Sequence, residues 1–221
     1  MAKAPTLTLT QPQPQDAGGG FADVGALHGA KEALREAVQL PLTHPQLFAG
    51  PLGHACGGVL LFGPPGTGKS LLAYAAAAEC GASVLVLSPA NLMSKWLGDG
   101  VRLTRAAFTL AAKLAPCIIF VDEVDALLGR REGGEHEALR EMKNEFMQQW
   151  DGVRRSGPAQ RVTVLGATNR PQDLDEAVLR RFARRVFVHL PDTPTRAAVL
   201  HVLLQVRVWR DQSATAWQGW G

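Results

Sequence analysis

The chain contains 221 residues, of which 46% are hydrophobic, and carries 23 lysines and arginines against 20 aspartates and glutamates. This length suffices for one α/β domain with a buried core and is too short for two large domains. The formal net charge of +3 is too small to indicate electrostatic binding to nucleic acid or to an anionic membrane surface. The apolar runs are far shorter than the roughly 18 residues of a membrane span, so the sequence predicts no transmembrane segment.

The N-terminal residues 1–20 contain no apolar signal-peptide region and end in three consecutive glycines. Their polar composition predicts a disordered tail. The three cysteines, Cys56, Cys80 and Cys117, do not have the spacing of a metal site, and the last two adjoin apolar runs. We interpret Cys80 and Cys117 as buried thiols, which indicates a reducing compartment inside the cell.

From Phe21 onward, short apolar segments alternate with longer helical ones, which is typical of an α/β fold with a parallel sheet. The five predicted strands are 59–62, 83–87, 117–121, 162–167 and 185–190. The predicted helices are 23–38, 71–80, 101–114 and 135–150. The last of these helices has large apolar residues at helical spacing. The final segment, 207–221, shows no clear periodicity and is predicted to be irregular.

A glycine-rich segment follows the first predicted strand and fits G-x-x-x-x-G-K-[ST]. In this motif backbone amides surround phosphate oxygens, Lys69 contacts the β- and γ-phosphates, and the Ser70 hydroxyl binds Mg²⁺. The following helix directs its positive end at the same charge. An ordinary surface turn is the alternative, and the flanking strand and helix argue against it. The predicted nucleotide-binding residues here are Gly63, Pro64, Pro65, Gly66, Thr67, Gly68, Lys69, Ser70 and Leu71.

Two adjacent carboxylates, Asp122 and Glu123, follow the third predicted strand. A parallel sheet places such residues at its carboxyl edge, where α/β proteins bind ligands. We expect Asp122 to hold Mg²⁺ through water and Glu123 to orient and polarise an attacking water molecule. Alone, the pattern also fits a strand with a solvated end. Combined with the lysine loop, it predicts a site for phosphoryl transfer.

Three further polar residues are candidates for the same chemistry. Asn169 follows the fourth predicted strand, so its neutral amide is expected at the same edge, where it can hold the water or sense the γ-phosphate. An ordinary turn is the alternative for Asn169. Arg180 and Arg181 precede the fifth strand, and either a solvated basic face or a transition-state cation supplied to a neighbouring molecule fits them.

Four segments together resemble the AAA ATPases: GPPGTGKS at Gly63, FVDEVD at Phe120, GATNRP at Gly166 and LDEAVLRRF at Leu174. The resemblance covers Phe21 to about Leu204. The segments around 135–138, 142–146 and 150–152 are similar to the mitochondrial outer-membrane translocases and their plant relatives, which extract mislocalised tail-anchored proteins. Katanin and spastin, which sever microtubules, share the same core motifs.

The resemblance implies a P-loop NTPase three-layer fold with a five-stranded parallel sheet in the order 5-1-4-3-2. It also implies a ring, usually a hexamer, with ATP between subunits. In this family Asp23, Val24 and Gly25 match the segment that contacts adenine, and Arg180 and Arg181 match arginine fingers that reach the neighbour's γ-phosphate. The segment 91–98 resembles the central-pore loop that grips a polypeptide substrate, through Lys95, Trp96 and Leu97.

The resemblance divides the chain into a disordered tail over 1–20, an ATP-binding domain over 21–192 and a truncated helical lid plus irregular tail over 193–221. Residues 195–206 match the first lid helix, and we expect no membrane anchor before Phe21. The leading interpretation is ATP hydrolysis coupled to unfolding or membrane extraction of proteins. The alternatives are a lidless nucleotide-binding module without motor activity and a microtubule-severing relative. The implied location is the cytoplasm or the surface of the mitochondrial outer membrane.

Overall fold

The computed structural model describes residues 8–10, 20–48, 57–89, 99–130, 137–155 and 161–215. The strands are β1 (Thr8–Thr10), β2 (Gly58–Phe62), β3 (Ser83–Leu87), β4 (Cys117–Val121), β5 (Val162–Thr168) and β6 (Arg184–Phe187). The α-helices are α1 (His28–Leu34), α2 (Leu40–Thr43), α3 (Lys69–Cys80), α4 (Asp99–Lys113), α5 (Val124–Leu128), α6 (Glu137–Arg155), α7 (Glu176–Leu179) and α8 (Thr193–Thr215). A π-helical turn, Arg35–Gln39, joins α1 to α2.

The strands form one sheet in the order β1-β3-β4-β5-β2-β6. All pairings among β2 to β6 are parallel. Numbered along the chain, these five strands have the predicted order 5-1-4-3-2, which is confirmed together with the α/β class. Strands β4 and β5 are buried along their whole length, because helices cover both faces of a parallel sheet.

The prediction of a disordered tail over 1–20 is wrong for Thr8–Thr10. This strand pairs antiparallel with β3, where Leu9 lies opposite Leu85. Its Thr-Leu-Thr sequence has strand propensity, and the free edge of β3 offers unpaired backbone groups. The remainder of that tail lies outside the described residues, apart from Gly20.

The helix bounds in the structure differ most from the prediction in two places. The helix expected to begin at residue 23 begins at His28, because Ala26 and Leu27 both adopt φ of 56° and interrupt helical geometry. The segment expected to be irregular from residue 207 is helical as far as Thr215. Residues 195–218 contain neither glycine nor proline, so nothing local ends the helix earlier. The domain boundary near residue 192 stays a prediction.

Two apolar clusters lie on opposite faces of the sheet. The first joins α1 and α3 to the sheet through residues such as Leu34, Leu72 and Val59. The second joins α4 and α6 to it through Phe108, Phe146 and others. The thiols of Cys80 and Cys117 are free, and burial raises the pKa of Cys80 to about 12 and of Cys117 to about 11. Among the described residues, no helix is long and apolar enough to cross a membrane.

Trp150 is the largest fully buried side chain of the second cluster. Its ring makes edge contacts with Phe146 and Phe182, at centroid distances of 5.9 and 4.8 Å. Its Nε1 donates a 2.7 Å hydrogen bond to the carbonyl oxygen of Gly57, immediately before β2. This indole therefore connects α6 to the strand that leads into the glycine-rich loop.

We predict that Trp150→Ala lowers the free energy of unfolding by about 3–5 kcal/mol, because it leaves a large cavity and an unsatisfied carbonyl. Urea denaturation followed by circular dichroism measures this loss. Trp150→Phe is the matched control, since it retains most of the ring packing and removes the hydrogen bond. A loss for Trp150→Ala no larger than that for Trp150→Phe would contradict the importance of the packing.

Candidate nucleotide-binding site

The loop between β2 and α3 turns sharply because its glycines adopt conformations that other residues avoid. The φ values of Gly66 and Gly68 are 75° and 87°, in the left-handed region that glycine enters without steric cost. A Cβ atom added at either residue would meet no atom of the described residues within 4 Å, apart from the adjoining residues of the chain. Open space therefore lies beside both glycines, as a loop that surrounds a ligand requires.

Lys69, the first residue of α3, points back into this loop. Its side chain is buried, and Nζ donates hydrogen bonds to the carbonyl oxygens of Gly63 and Pro64, at 3.0 and 2.7 Å. Burial lowers the pKa of Lys69, and the nearby carboxylate of Asp122 opposes this effect. The ammonium is thus held at the mouth of the loop.

The N-terminus of α3 receives no side-chain cap. Gly68 occupies the capping position and provides no side-chain acceptor, so the first-turn amides of this 12-residue helix lack that usual partner. The helix dipole adds positive potential at the same point. The loop, the lysine and this helix end together favour a polyanion such as a triphosphate.

The predicted metal-binding residues lie side by side. Ser70 Oγ is 3.4 Å from Asp122 Oδ2, which joins α3 to the end of β4. The other carboxylate oxygen, Asp122 Oδ1, accepts a hydrogen bond from the backbone amide of Glu123 at 3.0 Å. A hydroxyl and a carboxylate are oxygen ligands of the kind that Mg²⁺ prefers.

Glu123 is exposed and has left-handed backbone geometry, with φ and ψ of 48°. Non-glycine residues in this conformation are uncommon and cluster at functional sites. Because β4 ends at Val121, Glu123 lies at the carboxyl edge of the sheet.

Asn169 is exposed in a turn directly after β5. The neighbouring Thr168 is buried, and its hydroxyl donates to Asp125 Oδ1 at 2.6 Å and accepts from the Arg170 amide at 2.9 Å. Thr168 thereby connects the turn that carries Asn169 to the helix that follows Glu123. Thr168 and Asp125 were not predicted from the sequence, although a polar residue at the end of an otherwise apolar strand was a visible signal.

The segment predicted to contact adenine lies beside the loop. Asp23, Val24 and Gly25 line a cavity of about 310 Å³ together with Gly66, Gly68 and Leu71. Residues of α8, including Val199 and Leu203, close its other side, and His189 also lines it. The lining is mainly apolar next to the phosphate loop, which suits a heterocyclic base. His189, Val199 and Leu203 were not predicted from the sequence to lie here.

The two predicted arginine fingers have different surroundings. Arg181 is largely buried and forms a paired hydrogen bond to Asp151, at 2.9 and 2.6 Å, and its Nη1 donates to the Ala177 carbonyl oxygen. The side chain of Arg180 is 78% exposed and contacts only its helical neighbour Glu176 among the described ion pairs, at 3.3 Å. The predicted pore residues Lys95, Trp96 and Leu97 lie outside the described residues.

A family model described as "ATPase family associated with various cellular activities (AAA)" matches residues 59–190. The chain belongs to the AAA family. Spastin of Drosophila persimilis is 53% identical over 185 residues, covering 84% of this chain and 23% of that protein. Spastin of Anopheles gambiae is 52% identical over 183 residues, covering 83% of this chain and 22% of that protein. The chain thus spans about a quarter of the length of these curated relatives.

Two solved AAA structures agree with this assignment. The AAA domain of FIGL-1 in complex with ADP superposes with a TM-score of 0.73 and is 46% identical, covering 84% of this chain and 60% of that one. Another structure of the FIGL-1 AAA domain superposes with a TM-score of 0.75 and is 44% identical, covering 90% of this chain and 62% of that one. The resemblance to AAA ATPases is confirmed, with spastins among the relatives. The narrower resemblance to the mitochondrial translocases stays a prediction.

AAA ATPases in general use ATP and Mg²⁺, and the described residues fit both. The uncapped helix end, the open space at Gly66 and Gly68 and the Lys69 ammonium suit a triphosphate. Ser70 and Asp122 provide oxygen ligands on two neighbouring elements. The adjoining apolar cavity suits the base.

We predict that Thr168→Val lowers the free energy of unfolding by about 1–3 kcal/mol, because Asp125 and the Arg170 amide lose a buried hydrogen-bond partner. Thr168→Ser, which retains the hydroxyl, is the matched control and should lose less. Chemical denaturation of the three proteins measures the difference. Equal stability of the valine and serine variants would show that the hydroxyl contributes nothing there.

Proposed function

We propose that this AAA protein binds Mg-ATP, hydrolyses the terminal phosphoanhydride bond and uses the turnover to remodel a polypeptide substrate. The observation that carries the proposal is the contact between Ser70 Oγ and Asp122 Oδ2, which lie 3.4 Å apart beside the loop that holds Lys69. It brings the phosphate-binding and carboxylate-bearing segments together at one edge of the sheet.

In this proposal each side chain has a separate task. Lys69 and the first-turn amides of α3 neutralise the phosphates, while the Ser70 hydroxyl and the Asp122 carboxylate would hold Mg²⁺. Glu123 accepts a hydrogen bond from the attacking water and orients it, and Asn169 holds the same water from the neighbouring strand end. Bound Mg²⁺ supplies additional neutralisation of the phosphate charge.

We predict that Glu123→Gln retains ATP binding and lowers the hydrolysis rate by at least about 100-fold, since it removes help given to the transition state alone. Lys69→Ala is the contrasting variant, because it removes a charge that contacts the bound phosphates and should weaken ATP binding strongly. Calorimetry gives the affinities, and a phosphate-release assay gives the rates.

Equal ATP affinity of wild type and Lys69→Ala would refute the assignment of the loop. Loss of ATP binding in Glu123→Gln, with residual turnover little changed, would instead make Glu123 a structural residue. Wild-type binding without measurable hydrolysis under any condition would favour the alternative of a nucleotide-binding module without motor activity.

We further propose that copies of the chain, or the chain and related subunits, assemble into a ring in which Arg180 acts on the neighbour's ATP. Its exposure and weak partnering support this role, because a cation needed by another subunit must be able to reach out. Arg181 is tied to Asp151 on α6. We therefore assign Arg181 mainly to holding the short segment that presents Arg180.

We predict that Arg180→Ala and Glu123→Gln proteins, each nearly inactive alone, recover ATP hydrolysis when mixed. The first retains an intact water-positioning site and the second retains the arginine, so only a mixed interface is complete. Turnover of wild type should also rise with protein concentration. ATPase assays on the single and mixed proteins measure this, with Arg181→Ala as a comparison that should lower the melting temperature as well.

Absence of recovery in the mixture, in a preparation shown by light scattering to contain mixed assemblies, would refute action of Arg180 on a neighbour. Brisk hydrolysis by a strictly monomeric wild type would refute it too.

For the substrate, we propose the microtubule, because spastins are 52–53% identical to most of this chain. Unfolding or membrane extraction of proteins is the second candidate, supported by the sequence similarity around 135–152 to translocases. The proposed pore residues Lys95, Trp96 and Leu97 would contact either substrate. We also propose a reducing compartment, in agreement with the free thiols of Cys80 and Cys117.

We predict that polymerised microtubules stimulate the ATPase activity several-fold, whereas liposomes carrying a tail-anchored protein do not. The reason is that a bound substrate stabilises the assembled ring, in which Arg180 of each subunit completes the ATP site of its neighbour. The assay compares both additions at equal protein concentration, with unpolymerised tubulin as control. Stimulation by the liposomes alone would reverse the choice of substrate.

A further inference from the structure

Lys31 is a lysine in an unusual place. It lies in α1, only 8% of its surface is exposed, and its Nζ donates a 2.5 Å hydrogen bond to the carbonyl oxygen of Val24. Burial lowers its pKa, Arg35 lowers it further, and the carboxylate of Glu79 raises it. A buried ammonium is unfavourable without specific partners. The Val24 carbonyl oxygen and the Glu79 carboxylate are the neighbours that stabilise the charged form of Lys31.

Val24 ends a short segment that begins at Phe21, and Glu79 holds the beginning of this segment. The Phe21 amide donates to Glu79 Oε1 at 2.8 Å, and Gly20 packs so closely that an added Cβ would lie 2.8 Å from this oxygen. Residues 21–24 are therefore fixed by a carboxylate at the first amide and an ammonium at the last carbonyl. The two side chains come from α3 and α1.

The turn after this segment is strained. Ala26 and Leu27 both have φ of 56°, a left-handed conformation that is sterically unfavourable for a residue with a side chain. Leu27 also occupies the N-cap position of α1 without a side-chain cap. Strained turns persist only where surrounding contacts hold them, and the Lys31 side chain spans this one from α1 back to Val24.

The fixed segment forms one wall of the cavity beside the phosphate loop. Asp23, Val24 and Gly25 all line this cavity. Gly25 contacts the backbone of α8, where an added Cβ would lie 2.7 Å from Val199 Cα. The segment therefore cannot shift toward α8, and Lys31 and Glu79 restrain it on the other side.

We infer that Lys31 is a positioning residue for the nucleoside end of the bound nucleotide: it holds Asp23–Gly25 against the base and ribose and leaves the phosphate end unaffected. The inference rests on the proposed function and deepens it, since it separates the site into two parts that different lysines maintain. Lys69 serves the phosphates, and Lys31 serves the base from behind the cavity wall.

The test measures the affinity of wild type, Lys31→Met and Lys69→Ala for two probes, Mg-ATP and Mg-tripolyphosphate, by competition against a fluorescent ATP analogue. We expect Lys31→Met to weaken ATP binding about tenfold and to change tripolyphosphate binding less than twofold. Lys69→Ala should weaken both. Lys113→Met, at an exposed lysine of α4, is the matched control and should change neither.

Unchanged ATP affinity in Lys31→Met would overturn the inference. An equal loss of affinity for ATP and tripolyphosphate would also overturn it, because a merely structural role would affect both ends of the site. If Lys31→Met does not fold, Lys31→Gln, which retains a neutral donor, should weaken ATP binding about threefold and spare tripolyphosphate. Any other result for this variant would also overturn it. Failure of wild type to bind either probe would refute the proposed function itself.

Discussion

The candidate site depends on the hydrogen bonds of Thr168 at the carboxyl end of β5. Its carbonyl oxygen accepts the Gly63 amide at the start of the glycine-rich loop, at 3.3 Å, and its hydroxyl bonds Asp125 and the Arg170 amide. One central residue thus fixes the loop, the helix after the paired carboxylates and the turn that carries Asn169. The parallel sheet makes this possible, because the ends of its strands meet at one edge.

Two largely buried lysines lie near the cavity. The hydrogen bonds described for their ammonium groups end on backbone carbonyl oxygens, two for Lys69 and one for Lys31, while the carboxylates of Asp122 and Glu79 lie nearby. Carbonyl partners compensate the lost hydration without neutralising the charge. The lysines therefore still contribute positive potential near the loop. In a tight ion pair such as Arg181 with Asp151, by contrast, the carboxylate cancels most of the potential of the guanidinium.

The positions of the five parallel strands and the phosphate loop followed from the sequence, because apolar runs such as 117–121 and the GKS motif each have one dominant interpretation. The order of the strands in the sheet followed from the resemblance to AAA ATPases. The partners of Arg181 and Lys31 did not follow. Asp151 lies 30 residues from Arg181, and no local pattern links them. Lys31 has the spacing of an ordinary helical residue, and only the reversal of the chain at Ala26 and Leu27 brings Val24 within its reach. Strand β1 was missed because three residues carry too little pattern.

Strand β1 also changes how the protein can meet other copies of itself. An uncovered β3 would present a row of free amides and carbonyls onto which a foreign strand could add. Thr8–Thr10 pairs with part of that row, and as an edge strand of three residues it offers little backbone for a further strand. At the far end of the described sheet β6 carries the exposed Arg184 and Arg185, whose charge discourages strand addition. Extension of the sheet from one molecule to the next is therefore opposed at both edges. Contacts between copies are left to side-chain surfaces, whose geometry can close on itself rather than propagate into fibres.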